Sequence, residues 1–550
     1  MGTAVKTTAG AVEGVALDGL TVFKGIPFAA PPEGPLRFRA PAPAAAWDGV
    51  RRADRFCAAP PQLPLVPGMP RAWNPDDGMD CLGINVWTPG GDGDRLPVMV
   101  WIHGGGWKSG HAADPAHDGA VLARDGVVVV TFNYRVGFEG FGHVPGAPAN
   151  RGFLDQTAAL AWVHDNIAGF GGDPDNVTVF GESGGGASIA ALLTAPGARG
   201  LFRRAIVQSL AGRYLPEEEA VRISRAVCAA AGIDPGALAD AAPERLLAVQ
   251  DVPLAAMEAD PDAWTTPEAI TAFSPTIDGV TVVDLPWLAL RSGAARDIDL
   301  ISGYTRDEFT LWSLQHGAVR PTLAGLVKSA PLMLTMARSR PRRDRSAPRP
   351  ARRDLGLAHT ARVLGLDRDA PDAYRTGYPG SSDGQLYTAM YSDSLFRMPS
   401  TWLAEAHDAA GGRAYLYEFA WPSPVLGGVF GAVHTIDIPA VFGHASGDMG
   451  RFLFGGKTPP ADYMELSARI RRAWTAFAAT GDPGDPGDLG DPGNLGDPGG
   501  PGNSRVAGTS ADWPRFSAVD PQVRIWDRES SVVSDPLAPS RRIWQARSGL

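Results

Sequence analysis

The sequence VTVFGESGGGA at Val177–Ala187 decides the fold class of this chain. An apolar, β-branched run leads into the motif GESGG, and a run of small residues typical of a helix, Ala187–Thr194, follows at once. Glycines at an abrupt strand-to-helix turn allow two backbones to approach while the Ser183 hydroxyl projects outward. The helix N-terminus behind Ser183 would direct amide groups and partial positive charge toward an oxyanion. The pattern therefore predicts a nucleophilic serine rather than an ordinary Gly-Ser-Gly turn.

Apolar β-like runs alternate with helical runs on both sides of this turn. Such alternation is what a mostly parallel, doubly wound sheet requires, and it predicts an α/β fold with large insertions in the later connections. A helix is predicted at Asp155–Phe170. The predicted strands are Val98–Ile102, Val127–Tyr134, Val177–Phe180, Arg204–Gln208, Leu300–Gly303, Ala414–Phe419 and Val523–Trp526.

The composition favours a soluble enzyme over a nucleic-acid-binding or membrane protein. The chain has 550 residues, 44% of them hydrophobic, and we interpret residues 1–550 as one large domain. Its net charge is −10, and no basic patch accompanies the motif strands, which disfavours a nucleic acid partner. Because no run approaches the roughly 18 apolar residues of a membrane span, and the first residues lack the features of a secretory signal, we expect a cytoplasmic protein. The oligomeric state stays open.

Two segments depart from globular composition. Ala337–Asp354 carries eight arginines and three prolines, which favours an exposed loop over an anion-binding patch. Gly481–Gly502 repeats GDPG and GDLG, and so many turn formers leave too little apolar surface to offset the entropy of ordering. We therefore predict a disordered insertion at about 481–509 without a catalytic role.

No metal or organic cofactor is expected. The three cysteines, Cys57, Cys81 and Cys228, form neither a disulfide framework nor a metal site of recognisable spacing, and at most one bridge could form. The stretch GFGGDP at Gly169–Pro174 is neither a dinucleotide fingerprint nor a P-loop, and it indicates a helix end and turn.

A serine hydroxyl is a weak nucleophile at neutral pH, so it needs a histidine base, an acid that orients the histidine, and amide donors for the oxyanion. Pro97–Gly110 reads PVMVWIHGGGWKSG, a buried strand that runs into four residues, His103–Gly106. Glycines there let backbone N–H groups face a ligand, as in oxyanion loops, whereas an isolated HGGG could be a flexible turn. The position of HGGG directly after a predicted strand favours an oxyanion loop over a flexible turn.

The acid and base should follow Ser183 in the chain, because α/β-hydrolases with a GxSxG turn carry their triad in the order serine, acid, histidine. His434 in GAVHTIDIPAVFG lies in a Gly-flanked loop, and His407 in a helix-like run is predicted to face solvent. Asp307 and Glu308 both lie at a predicted strand end, but many other carboxylates could serve, and spacing alone prefers none of them. The histidines after Ser183 are His316, His359, His407, His434 and His444.

Several motifs resemble the type-B carboxylesterases, the α/β-hydrolase family that also contains the cholinesterases. The resemblance covers nearly the whole chain, including HGGGWKSG and GESGG. The other matching stretches are FKGIPFAAPPEGPLRFRAP, MDCLGINVW, FNYRVGFEGFG and NRGFLDQTAALAWVHDNIAGFGGDPDNVTVFGESGGGAS. The resemblance implies an α/β-hydrolase with a small N-terminal antiparallel sheet.

The resemblance also assigns roles to individual residues. Ser183 would be the nucleophile, Glu308 the triad acid, and His434 the general base, with Glu308 preferred because the family's DEG motif uses its second carboxylate. Cys57 and Cys81 fall where the family often places a disulfide, although a reducing cytoplasm would leave thiols. The implied oxyanion donors are the amides of Gly105, Gly106 and Gly184.

Four positions depart from the family pattern. Met79 replaces a glutamate, Phe309 replaces the glycine after the acid, and Leu210 replaces the glycine of QSG. Gly184 replaces the alanine of GESAG, which keeps the amide donor but adds backbone freedom that would loosen the oxyanion hole. Ser209 is either a hydrogen-bond partner of Glu308 or an ordinary buried serine.

The resulting hypothesis is a serine hydrolase that cleaves acyl or aryl carboxylic esters of small molecules through an acyl-enzyme intermediate. An amide, carbamate or thioester hydrolase with the same triad is the alternative, since leaving-group choice depends on pocket shape. A non-catalytic binding protein of the same fold is disfavoured because Ser183, Glu308 and His434 are all retained. Trp107, Trp312 and Phe309 are candidates for an apolar site wall, with core packing as the alternative.

Overall fold

A large mixed sheet organises the chain. The computed structural model describes residues 3–64, 70–265, 270–321, 325, 354–484 and 513–549. The strands within these residues are β1 Ala4–Lys6, β2 Ala11–Glu13, β3 Val15–Leu17, β4 Leu20–Pro27, β5 Val50–Arg52, β6 Gly83–Thr88, β7 Leu96–Ile102, β8 Val128–Phe132, β9 Gly172–Glu182, β10 Arg204–Gln208, β11 Leu215–Pro216, β12 Thr276–Ile277, β13 Asp299–Thr305, β14 Ala414–Phe419, β15 Gln522–Trp526 and β16 Ser531–Ser534.

Eleven of these strands form the central sheet, in the order β16-β15-β14-β13-β10-β9-β7-β8-β6-β4-β3. The strands from β8 to β15 in this order pair in parallel, and the strands at the two edges pair antiparallel. The chain passes from β7 to β8 on one side and then returns to place β9 on the other side of β7. In open α/β sheets, a crevice for ligands forms at such a reversal, outside the carboxyl ends of the strands. The ends of β7 and β9 are therefore the expected location of a site.

Helices cover both faces of the sheet, which explains the continuous apolar runs of its central strands. Along β7, Val98, Val100 and Ile102 pack into one core, and Met99 and Trp101 pack into the other. The α-helices of the described residues are α1 Ala120–Arg124, α2 Gly137–Phe141, α3 Arg151–Asn166, α4 Gly184–Leu192, α5 Glu217–Ala231, α6 Pro243–Leu247, α7 Val252–Ala259, α8 Pro286–Leu290, α9 Thr310–His316, α10 Leu357–Val363, α11 Ala370–Gly377, α12 Asp383–Ser392, α13 Met398–Ala409, α14 Ile438–Phe442, α15 Gly447–Leu453, α16 Ala461–Thr480 and α17 Ala538–Ser548.

Each predicted strand of the large sheet is present, with ends that shift by a few residues. β9 begins at Gly172, five residues before the predicted start, and α3 begins at Arg151, four residues before its predicted start. The predicted end of that helix, Ile167–Phe170, is a 3₁₀ turn. These shifts concern element ends, where local sequence signals are weakest.

The small N-terminal sheet is not purely antiparallel, so that part of the fold prediction is wrong. β1 and β2 pair antiparallel, but β2 and β5 pair in parallel. The long connection between β2 and β5 includes β3, β4 and a Pro-rich stretch, and such a length permits the chain to return in the same direction.

Several predictions concern other parts of the chain. The disordered insertion and almost all of the arginine-rich loop lie outside the described residues. Cys57 and Cys81 carry free thiols, and the Cys57 Sγ donates a hydrogen bond to the Cys81 carbonyl oxygen at 3.4 Å. Of the helices in the described ranges, none combines the length and apolar character of a membrane span.

Candidate active site

Ser183 lies at the junction of β9 and α4 with strained backbone angles. Its φ is 57° and its ψ is −122°, a conformation that non-glycine residues adopt rarely and that clusters at functional sites. The glycines around it are required by close approach: a Cβ on Gly185 would overlap the Ile102 carbonyl oxygen, and one on Gly181 would lie 2.6 Å from it. The strand-turn-helix geometry predicted from GESGG is therefore present, with Ser183 held against the end of β7.

Ser183, His434 and Glu308 form one hydrogen-bonded chain. The distance from Ser183 Oγ to His434 Nε2 is 2.9 Å, and that from His434 Nδ1 to Glu308 Oε2 is 2.6 Å. The other Glu308 oxygen, Oε1, accepts a hydrogen bond from the Thr305 amide at 2.8 Å. Glu308 is fully buried, and Ser183 and His434 are only 4% and 6% exposed. The structure thus brings together three residues that lie more than 120 positions apart in the chain.

Asp307, the other candidate acid, serves a different purpose. Its Oδ2 accepts a hydrogen bond from the Ala432 amide at 2.9 Å, and its own amide donates to the Ala432 carbonyl at 3.0 Å. These two bonds attach the loop that carries His434 to the end of β13, two residues from the histidine. The tandem carboxylates therefore separate into Asp307, which fixes the loop, and Glu308, which contacts the imidazole.

The glycine loop after β7 faces Ser183. Gly105 and Gly106 have φ values of 107° and 60°, and a Cβ on Gly105 would overlap the Ser109 carbonyl oxygen. Among the described residues, neither amide donates a hydrogen bond to another protein group. Gly184 is the first residue of α4, so its amide has no intrahelical acceptor. A Cβ on Gly184 would lie 3.3 Å from the amide nitrogens of Gly106 and Trp107, so the glycine loop closely approaches the start of α4.

Two further carboxylates lie beside the imidazole, and the sequence analysis did not identify them. Glu182 Oε1 is 3.2 Å from His434 Nε2, and Asp437 Oδ2 accepts hydrogen bonds from Gln208 at 2.8 Å and Tyr417 at 3.2 Å. The signal that could have found them is their position, directly before the serine and three residues after the histidine. They add two acidic groups to the buried site.

Burial and the mutual interactions of these groups shift the pKa values of the site. Burial raises the pKa of Glu182 and the pKa of Asp437 above those of ordinary carboxyl groups. Burial alone would lower the pKa of His434, but the carboxylates of Glu182 and Glu308 outweigh that effect and raise it. The imidazole therefore holds its proton to a higher pH than a free histidine does.

The departures from the family pattern have clear structural positions. The Ser209 Oγ makes no hydrogen bond among the described residues, so Ser209 is a buried serine and not a partner of Glu308. The Leu210 amide donates to Ser400 Oγ at 3.1 Å. Phe309 is 2% exposed and belongs to the core.

Of the candidate wall residues, Trp107 is also in the core, where its indole donates a hydrogen bond to Ser188. Trp312 is half-buried beside His434.

His407 is buried, so the prediction that it faces solvent is wrong. Its ring is fully enclosed, and Nε2 donates a hydrogen bond to the Ile298 carbonyl oxygen at 2.9 Å. Gly412 packs directly against the ring, with no room for a Cβ. α13 has the central sheet on one side and α8 on another, and a helical pattern alone does not reveal such double coverage.

Comparison with known proteins agrees with this architecture. The profile of the Carboxylesterase family matches residues 2–540. Para-nitrobenzyl esterase of Bacillus subtilis is 33% identical over 98% of this chain and 97% of its own length, and phenmedipham hydrolase of Pseudarthrobacter oxydans is 32% identical over 97% and 96%.

Solved structures extend the agreement to three dimensions. A PNB esterase superposes with a TM-score of 0.73 at 32% identity, over 98% of this chain and 99% of the other. A carboxylesterase of Geobacillus stearothermophilus gives a TM-score of 0.75 at 31% identity, over 99% and 100%. The whole α/β-hydrolase architecture is therefore shared, and the chain belongs to the carboxylesterase family.

Proposed function

We propose that Ser183, His434 and Glu308 are the catalytic triad with which this carboxylic ester hydrolase cleaves its substrates. Ser183 Oγ attacks the acyl carbon while His434 Nε2 takes the hydroxyl proton, and the C–O bond to the alcohol then breaks as Nε2 returns that proton to the leaving oxygen. Water, deprotonated by the same nitrogen, attacks the acyl-enzyme, and the carboxylic acid leaves as Ser183 regains its proton. Glu308 keeps the imidazole in the tautomer that can accept the serine proton.

The amides of Gly105, Gly106 and Gly184 stabilise the negative oxygen formed in both steps. Their support is geometric: the Gly105 and Gly106 amides have no protein acceptor among the described residues, the Gly184 amide is at a helix N-terminus, and the glycine loop approaches the start of α4. Because the donors are already oriented in a buried site, they need little rearrangement when the charge develops. Gly184 also leaves space between the start of α4 and the glycine loop, since a Cβ there would lie 3.3 Å from the Gly106 amide nitrogen.

The observation that carries the proposal is the continuous hydrogen-bonded chain from Ser183 through His434 to Glu308. The experiment that tests it combines labelling by a fluorophosphonate probe, peptide mapping, and hydrolysis of short-chain p-nitrophenyl esters. We expect one label per chain, on Ser183, together with ester turnover. Folded protein that takes no label, or takes it on another serine, would contradict the assignment.

The substrates are small-molecule esters, and we propose uncharged acyl or aryl esters as the preferred class. The aromatic residues beside His434 and the acidic surroundings of the site disfavour anionic substrates. The name of one relative, para-nitrobenzyl esterase, adds benzyl esters to the panel to be tested. A cytoplasmic location, the absence of a nucleic acid partner, and one domain spanning residues 1–550 stay predictions.

Replacing Glu182 by glutamine is expected to shift the pH profile of kcat/KM toward lower pH. Hydrolysis requires neutral His434, so the rate rises with pH as the imidazole loses its proton. The carboxylates facing the ring, Glu182, Glu308 and Asp437, delay that loss, and the acid limb of the wild type should lie above the ordinary histidine pKa of about 6.5. Removing one of these carboxylates should therefore let His434 lose its proton at a lower pH.

The control for this shift is Glu405→Gln, a partly buried carboxylate that pairs with Arg541 on α17, away from the site. Its profile should coincide with that of the wild type. The charge argument is wrong if the Glu182→Gln limb stays in place or moves to higher pH.

A further inference from the structure

The imidazole of His434 is enclosed by two aromatic rings in addition to its hydrogen bonds. The ring centroid of Phe396 lies 4.4 Å from that of His434, and the centroid of Trp312 lies 5.4 Å from it. The two rings are themselves nearly parallel, at 19° and 6.0 Å. His434 therefore rests against an aromatic wall that limits rotation of its side chain.

Phe309 supports this wall from behind. Its ring stacks on Trp312 with centroids 5.2 Å apart and an interplanar angle of 23°, and on Tyr391 at 4.6 Å and 13°. Phe309 and Trp312 are three positions apart at the start of α9, a spacing that places side chains on the same helix face. The series Tyr391, Phe309, Trp312 and His434 is therefore continuous from the core to the imidazole.

The backbone connects this series directly to the acid. Phe309 follows Glu308, and its amide donates to Ser392 Oγ at 3.1 Å, which fixes the start of α9 against α12. The same short segment thus sets both the carboxylate that orients the imidazole and the ring that supports its wall. In the family motif this position is glycine, which could not supply such a ring.

The Phe396 side of the wall is fixed independently. Phe396 lies in a π-helical turn, Asp393–Arg397, and such turns occur frequently at functional sites. The turn is held by an ion pair of Arg397 Nε with Asp393 at 2.7 Å and by hydrogen bonds of 2.6 Å from Tyr374 and 2.5 Å from Ser540 to the same carboxylate. Freedom of the imidazole would therefore arise on the Trp312 side, where Phe309 is the support.

We propose that Phe309 is a positioning residue that keeps His434 in place through Trp312, chiefly during hydrolysis of the acyl-enzyme. This inference rests on the proposed triad. Once Ser183 Oγ is esterified, it no longer donates a hydrogen bond to His434 Nε2, and the bond from Nδ1 to Glu308 becomes the remaining link within the triad. The aromatic wall then holds Nε2 toward the incoming water, and small misplacements of a catalytic group have large effects on rate.

The test measures burst and steady-state hydrolysis of p-nitrophenyl acetate by Phe309→Ala, Phe309→Leu and Phe309→Tyr. We expect kcat to fall about 10-fold in the alanine variant, with a smaller loss in kcat/KM and therefore a lower KM, because deacylation is the step affected. Tyrosine, which keeps the flat ring, should recover kcat to within about 3-fold of wild type, and leucine should not.

The matched control is Phe23→Ala, since Phe23 is equally buried and packs on Phe170 at a centroid distance of 4.8 Å in the N-terminal part of the sheet. It should lower the melting temperature to a similar extent without a change in kcat. An unchanged kcat in Phe309→Ala, or full activity in Phe309→Leu, overturns the proposal, as does a rise in KM alone.

A second readout separates this inference from the triad assignment. The proton between His434 Nδ1 and Glu308 should give a far-downfield NMR resonance that needs no substrate, because the two atoms are 2.6 Å apart. In Phe309→Ala that resonance should broaden through faster exchange, and in Phe309→Tyr it should persist. An unaltered resonance in the alanine variant contradicts positioning, whereas failure of fluorophosphonate to label wild-type Ser183 contradicts the proposed function instead.

Discussion

Replacing Ser183 by alanine is expected to lower kcat for p-nitrophenyl esters by about 10⁴-fold or more. The change removes the oxygen that forms the acyl-enzyme and leaves the oxyanion donors and the imidazole in place. The protein should stay folded because alanine removes one hydroxyl, whose hydrogen bond is to His434 at 2.9 Å, and keeps the Cβ at the turn. Steady-state kinetics and fluorophosphonate labelling of purified variant measure the effect, and thermal denaturation confirms the fold.

Ser224→Ala is the matched control for this substitution. Ser224 is a buried serine of α5 whose Oγ accepts a hydrogen bond from the His143 amide at 2.7 Å, remote from the triad. That variant should take the label fully and hydrolyse esters at the wild-type rate. Near-native turnover by Ser183→Ala would show that another residue is the nucleophile.

Glu308→Gln is expected to lower kcat by about 10⁴-fold through the wrong histidine tautomer. The glutamine oxygen would replace Oε1 as acceptor of the Thr305 amide, so its NH₂ group would face His434 Nδ1. Nδ1 would then have to accept a hydrogen bond, and the neutral imidazole would carry its proton on Nε2. An imidazole in that state cannot take the proton of Ser183. The kcat for p-nitrophenyl acetate, measured at the pH optimum of the wild type, reports the loss.

The adjacent carboxylate provides the control. Asparagine at position 307 can still accept the hydrogen bond from the Ala432 amide, so Asp307→Asn should keep kcat within about 3-fold of wild type. A large loss in Asp307→Asn with a small loss in Glu308→Gln would reverse the assignment of the acid.

The parts of the fold that sequence reasoning predicted are those in which local and global signals agree. Central strands such as β7 and β10 are short apolar runs, and their ends were predicted to within two residues. The serine turn was predictable because glycine is required on both sides of Ser183 for steric reasons visible in the motif. The base and acid needed the family resemblance, since five histidines and many carboxylates follow Ser183 in the chain.

What sequence reasoning missed depends on contacts between distant segments. Of the acidic groups around His434, Glu182 on β9 is far away in the chain, and only the folded sheet brings it to the imidazole. The helix that carries His407 packs on α8 and β13, both of which are remote from it in the chain. Likewise, the ring at position 309 is a departure from the family pattern whose purpose is visible only beside Trp312 and Tyr391.

The distribution of the site along the chain also determines when activity can arise during synthesis. Ser183 and His434 are separated by 251 residues, and His434 follows β14, which pairs with β13 in the sheet. A nascent chain that has left the ribosome only as far as α9 contains the nucleophile, the glycine loop and the acid, but no base. We therefore expect ribosome-bound chains shorter than about 434 residues to be catalytically inert, so that ester hydrolysis reports synthesis of the chain beyond β14.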